Sequence, residues 1–257
     1  MKKKQGRKKF DILSLIIGLA CAILIGYIIY CLYNIIPVML EMKRMEAINN
    51  EVNLKEEGDS PWDYMTQFWE RKAENPDFIG WIKFDSGIVN EPIVQAKDDN
   101  KYLRHDFYGN YSVNGTVYME ASHTFDSRNI TLYGHYIYAD PNLMFTQLEQ
   151  LREQENYEQN KIFRLYLEDE VRVYEVAAVI DYYAYAGAFH YTYEKYNDEQ
   201  WQDFLNYMKE KRLYDTGVEI TDDGQYVTLQ TCVRNQKSRR TIVIGKMIQQ
   251  YLKKGES

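Results

Sequence analysis

Chemistry in this chain converges on one thiol. Of three cysteines, Cys21 and Cys31 lie in the apolar first forty residues and Cys232 stands alone in the rest. A thiol without an intramolecular disulfide partner is a buried inert group, an intermolecular bridge or a nucleophile. A nucleophile needs an acid/base group and donors for the negative charge that develops during attack. Four histidines are available. His135 closes the run Ile130-Thr131-Leu132-Tyr133-Gly134-His135, which reads as a short strand ending in a glycine turn. His105 sits in a charged loop, and His123 and His190 sit in polar or aromatic loops. Arg240 opens a strand-like run after Cys232, with Arg234 and Arg239 in the intervening turn. If the flanking strands pair, their facing residues lie ~5 Å apart. Register decides which arginine meets the sulfur, so all three remain open.

The elements that must carry these residues are short and β-rich. Strand-like runs are Gly80–Phe84, Ile88–Val94, Gly115–Met119, Ile130–Tyr133, Lys161–Leu167, Val171–Ile180, Gln225–Cys232 and Thr241–Ile248. Their alternation and spacing suggest a barrel or sandwich more than repeated βαβ units. Helices are expected over Asn142–Leu151 and about Asn197–Arg212, the second with Trp201, Phe204, Leu205 and Met208 at helical spacing. Another begins at Ser60, with Pro61 at its first position and Asp63 completing a capping-box-like spacing, and ends at Asn75-Pro76. No repeats, glycine-rich phosphate loops or clustered metal ligands occur, so no cofactor is expected.

Charge divides the chain. Residues 1–40 hold six basic side chains and Asp11, net +5; with −7 overall, the remainder carries −12. A body that acidic is a poor phosphate binder, which argues against nucleic acid as a partner. Ile12 to Leu40 contains no charged residue, longer than the ~20 apolar residues a bilayer-spanning helix needs. The run also exceeds the ~7–15 apolar residues of a secretory-signal core. Bulky Tyr27, Tyr30 and Tyr33 occupy its outer end. We read residues 1–11 as a basic cytoplasmic tail, 12–36 as an uncleaved single-pass anchor in the lipid bilayer, 37–59 as a juxtamembrane linker without a broad apolar face, and 60–257 as an extracellular catalytic domain. The tail's lysines and Arg7 set that orientation.

Leu132-Tyr133-Gly134-His135 and Thr228-Leu229-Gln230-Thr231-Cys232, with Arg240 downstream, resemble the His, Cys and Arg signatures of sortases, membrane-anchored cysteine transpeptidases of Gram-positive bacteria. The similarity covers about residues 60–250. It includes Asn75-Pro76-Asp77-Phe78-Ile79-Gly80-Trp81, Glu91-Pro92-Ile93-Val94-Gln95 and Asn114-Gly115-Thr116-Val117-Tyr118-Met119 in family order. A helical N-terminal extension and a helix between late strands look like class B. Gln230 departs from the serine common there, and the Cys-to-Arg turn is short.

The resemblance implies a mainly β fold: a closed eight-stranded β-barrel with N-terminal helices, an inserted helix between late strands and an active groove at the strand ends. It implies Cys232 as nucleophile, His135 as acid/base and Arg240 as the donor to the oxyanion or peptide backbone, with Thr231 and Leu132 as expected substrate-binding residues. The implied partners are C-terminal sorting signals of surface proteins, NPxTN-like or LPxTG-like, and an amine of a peptidoglycan precursor. The implied alternatives are a pilin-polymerising sortase and a catalytically silent ectodomain that binds wall components.

Overall fold

A computed structural model describes residues 12–55, 60, 62–185, 187–234 and 236–253. The basic tail and Pro61 lie outside them. The chain divides into two compact units, residues 1–44 and 45–257.

Helix α1 (Ile12–Val52) covers both the expected anchor and part of the expected linker. Its side chains from Leu13 to Leu40 are almost all exposed and apolar. Among the described residues, it is the helix long and apolar enough to cross a membrane. The last turns of α1 belong to the second unit. There Met45, Ile48, Val52 and the following Leu54 are buried. One apolar residue per turn makes a stripe too narrow to stand out in a charged sequence, yet it buries the helix end. Two side chains of the barrel fasten the backbone beyond it: Trp81 Nε1 donates to the Val52 carbonyl at 2.8 Å and Asn90 Nδ2 to that of Leu54 at 2.9 Å.

The eight expected strands all form. They are β1 (Phe78–Phe84), β2 (Asn90–Val94), β3 (Tyr118–Met119), β4 (Asn129–Tyr133), β5 (Ile162–Tyr166), β6 (Glu170–Tyr183), β7 (Tyr226–Val233) and β8 (Gln236–Leu252). They close into a barrel in the order β1-β2-β3-β4-β7-β8-β6-β5. The β5–β1 pairing completes the closure and removes the sheet edges. The β2–β3 and β4–β7 pairs are parallel. Strands β6 and β8 outrun their expected limits because they pair with each other from Glu170↔Leu252 to Tyr183↔Arg239. The ladder there carries polar residues such as Gln249 and Gln250 that pattern alone assigns to a loop.

Helix α2 (Met65–Glu74) begins later than expected. Asp63 Oδ2 accepts from the Ser60 N–H at 2.9 Å, but this closes a turn ahead of the helix, and α2 has no side-chain cap. Its buried Phe68 packs on Phe78 and Trp81, with ring centroids 5.1 and 6.0 Å away. The expected helix over Asn142–Leu151 is instead a loop followed by a 3₁₀ helix, Thr146–Arg152. Met144 there has φ +55°, which an α-helix cannot contain. Two four-residue helices, α3 (Asn100–Leu103) and α4 (Tyr157–Asn160), have no clear pattern in the sequence. Helix α5 (Asp198–Lys211) starts at a capping box between Asn197 and Gln200. It buries Trp201, Phe204, Leu205 and Met208 against Ala177, Ala178, Ile180, Tyr226, Ile242 and Ile244 of β6, β7 and β8. Removing a ring such as Trp201 would cost about 3–5 kcal/mol.

Glu91 on β2 is 2% exposed. Its Oε1 accepts from Asn49 Nδ2 at 3.0 Å and from the Met144 N–H at 2.8 Å. Burial outweighs these bonds and pushes its pKa up to about 8. The unfolded chain therefore ionises first as pH rises, and this group's contribution to stability is lost between about 4.5 and about 8. Glu91→Gln, which keeps an acceptor without the charge, should flatten that part of the profile. Urea unfolding at pH 5.5 and 8.5 checks it: the wild-type midpoint should fall, relative to the variant, at the higher pH.

Candidate active site

Parallel pairing brings two strand exits to one end of the barrel. β4 and β7 run in the register Leu132↔Leu229 and Tyr133↔Gln230. The Gly134 N–H extends the ladder by one step, donating to the Gln230 carbonyl at 3.1 Å. His135 is thus delivered beside the end of β7, where Cys232 sits. β8 returns antiparallel with Cys232↔Arg240 as partners. Directly opposed residues of an antiparallel pair point to the same face. Register therefore selects Arg240 among the three arginines. Arg239 faces the other way, where Asp181 grips it: Nε donates to Oδ1 at 2.6 Å and Nη2 bonds Oδ2. Arg234 lies in the exposed turn.

His135, Cys232, Arg240 and Thr231 line one groove with Tyr118 and Tyr133, about 510 Å³ including its open mouth. Cys232 and Arg240 are half-buried. Thr231 is 1% exposed, and its buried Oγ1 has no hydrogen-bond partner among the described residues. Leu132 is fully buried and is not part of the groove wall, since alternation sends it to the face opposite Tyr133. On one wall the Tyr118 and Tyr133 rings lie 5.1 Å apart, and the Tyr133 hydroxyl donates to Glu120 Oε2 at 2.7 Å.

The histidine is oriented by the backbone. His135 Nε2 donates to the Leu103 carbonyl at 3.0 Å, an end-of-helix acceptor on α3 that needs a donor. Nδ1 is the nitrogen left to exchange protons. Burial lowers the pKa of His135; the Leu103 bond opposes this, and the Arg104 and Arg240 charges add to the lowering. The resting imidazole is neutral at pH 7 and ready to accept a proton. His123 differs: Nδ1 accepts from the Thr131 N–H at 3.0 Å and Nε2 donates to the Tyr193 carbonyl at 3.1 Å. With both nitrogens committed, it is a structural histidine.

Several groups around the groove have no sequence signature. Leu103 acts through a backbone carbonyl. Asp181 becomes visible only once the β6–β8 register is known. Phe145, fully buried, presses on Gly134 so closely that a Cβ there would lie 2.5 Å from its ring Cγ. The Phe145 N–H also donates to the His135 carbonyl at 3.3 Å. The Tyr191 hydroxyl bonds Gln230 Oε1 and anchors the segment after β6 beside the groove.

A sequence model of the sortase domain matches residues 82–248. This chain belongs to the sortase family. Sortase B of Staphylococcus aureus is 28% identical over 186 residues, which span 71% of this chain and 75% of that protein. The crystal structure of Clostridium perfringens sortase B superposes with TM-score 0.65 at 27% identity, covering 70% of this chain and 99% of the other. Sortase B of Bacillus anthracis superposes with TM-score 0.70 at 25% identity, covering 82% and 99%. The sortase is of class B, and its general activity is that of a cysteine-dependent transpeptidase.

The contact between Phe145 and Gly134 gives a direct test of how this sortase holds His135. Gly134→Ala should overpack the site by about 1–3 kcal/mol. With His135 as the acid/base group that the resemblance implies, its displacement should lower transpeptidation about 10²-fold. Peptide-cleavage kinetics and thermal unfolding of the variant, run side by side, check both expectations.

Proposed function

We propose that Cys232, His135 and Arg240 carry out transpeptidation on the C-terminal sorting signal of a surface protein, NPxTN-like or LPxTG-like, cut after its threonine. The Cys232↔Arg240 pairing, with His135 on the wall of the same groove, is the observation that carries this reading.

His135 Nδ1 takes the Cys232 proton, and the sulfur attacks the threonine carbonyl carbon. The carbonyl π electrons move to oxygen, and the Arg240 guanidinium donates to that oxyanion. Collapse restores the carbonyl and breaks the bond to the next residue, whose departing amine takes the proton from His135. The product is a thioester on Cys232. An amine of a peptidoglycan precursor then loses a proton to His135 and attacks the thioester. The sulfur leaves and is reprotonated, and a new amide joins protein to wall. A neutral resting histidine suits the first step, because an imidazolium has no lone pair to accept the proton.

In this reading residues 12–36 span the membrane with the basic tail in the cytoplasm, and the groove faces the cell exterior. The burial of Met45, Ile48 and Val52 supports a folded body that begins before residue 60.

Steady-state cleavage of fluorogenic NPxTN and LPxTG peptides tests the assignment. Cys232→Ala should abolish turnover, and His135→Ala should lower it at least 10³-fold. Arg240→Ala should lower kcat about 10²–10³-fold, whereas Arg239→Ala should stay within about tenfold of wild type, since Arg239 faces Asp181. A fully active Cys232→Ala variant would defeat the proposal.

A further inference from the structure

The loop that leaves His135 returns beside it at Phe145, and its return is held by one buried carboxyl. Tyr136 and Met144 form an isolated bridge across the loop's neck. One residue further on, Phe145 contacts both ends of the Gly134–His135 turn, packing on the glycine and donating to the His135 carbonyl. Met144 has φ +55°, a left-handed conformation that side-chain-bearing residues adopt at a cost of order 1–3 kcal/mol. Such strain persists only where surrounding contacts hold it. Here the Met144 N–H donates to Glu91 Oε1, which also accepts from Asn49 near the end of α1.

We infer that Glu91 is a positioning residue for His135: its carboxyl ties the Met144–Phe145 backbone to α1 and β2, and Phe145 in turn sets the Gly134–His135 turn. Among the described residues, Glu91 lies outside the groove wall, and its carboxyl bonds Asn49 and Met144 rather than Cys232 or Arg240. Its effect on chemistry runs through the backbone. The burial that raises its pKa fits this role, since an uncharged carboxyl can be enclosed without a counter-ion. A glutamine would present the same acceptor oxygen, and a methionine would fill the same length without accepting either bond. The inference rests on the catalytic reading of His135.

The test uses the full chain in detergent micelles with a fluorogenic NPxTN peptide. Wild type is compared with Glu91→Gln, Glu91→Met and Leu165→Ala, the last a fully buried β5 position that controls for a general core loss. The readouts are kcat, KM and the ring ¹H–¹³C resonances of His135, assigned with His135→Ala. Glu91→Met should lower kcat about tenfold or more, leave KM within about twofold and shift the His135 resonances. Glu91→Gln should keep the wild-type resonances and stay within about threefold in kcat. Leu165→Ala should leave the resonances in place. Unshifted His135 resonances in Glu91→Met, or a Glu91→Gln as impaired as Glu91→Met, would overturn the inference. If Glu91→Met does not fold, hydrogen exchange of the wild-type Met144 amide decides. Protection matching the barrel strands supports the tie, and exchange as fast as the exposed loop overturns it. Wild-type turnover in His135→Ala would defeat the catalytic reading separately, leaving the resonance comparison as a test of position alone.

Discussion

The pairing of β4, β7 and β8 is the constraint on which the groove depends. A parallel neighbour puts the exits of β4 and β7 at the same end, and an antiparallel neighbour starts β8 there. Three residues distant in sequence thereby meet with no loop required to reach for another. Parallel pairing needs a long crossover, and the chain supplies it between Tyr133 and Tyr226 with β5, β6 and α5. The apolar face of α5 packs over β6, β7 and β8, so the crossover also braces the strands that carry the thiol and the guanidinium. Because strand side chains alternate, a one-residue slip of β8 would exchange Arg240 for Arg239. Asp181 opposes that slip. On β6 it pairs with Thr241, holds Arg239 on the face opposite Arg240 and also bonds Arg152. Its own pKa is lowered chiefly by the Arg239 bond, the sign of an ion pair formed in the folded state.

Several buried polar groups hold the loops near the groove. Glu91, His123, Asn129 and Thr131 are buried, and most of their hydrogen bonds hold loops. Asn129 Nδ2 donates to the Tyr191 carbonyl and to the Tyr196 hydroxyl, His123 fixes the Tyr193 backbone, and Glu91 fixes Met144. Each polar group removed from water must find a partner or destabilise the fold, so these bonds make the loop positions conditions of folding. Among the described residues, the Thr231 hydroxyl at the groove has no hydrogen-bond partner. Departures from full satisfaction are expected at working sites.

Alternation and turn residues were enough to find all eight strands, because a half-buried strand writes its faces into the sequence every second residue. The closure of the barrel and the Cys232–His135–Arg240 grouping follow from the resemblance to sortases rather than from pattern, and the strand order is read only from the structure. The choice among Arg234, Arg239 and Arg240 needed the register, which no local pattern encodes. The expected helix over Asn142–Leu151 fails at Met144, whose left-handed backbone is tied by a hydrogen bond to Glu91 some fifty residues earlier, a tertiary contact outside the reach of local propensity. The stripe of Met45, Ile48 and Val52 escaped notice because three apolar residues among charged ones look like a solvated helix. The place of Leu132 in the histidine block suggests a substrate-binding residue, yet its side chain belongs to the core.

In the proposed reaction Cys232 forms the covalent bond to the sorting signal. Mass spectrometry of the full chain, quenched with acid during turnover of an NPxTN peptide and then digested, tests it directly. The fragment containing Cys232 should gain the mass of the peptide up to its threonine, and excess amine nucleophile should remove this gain. An adduct on Cys21 or Cys31, or turnover with no adduct on any cysteine fragment, would contradict it.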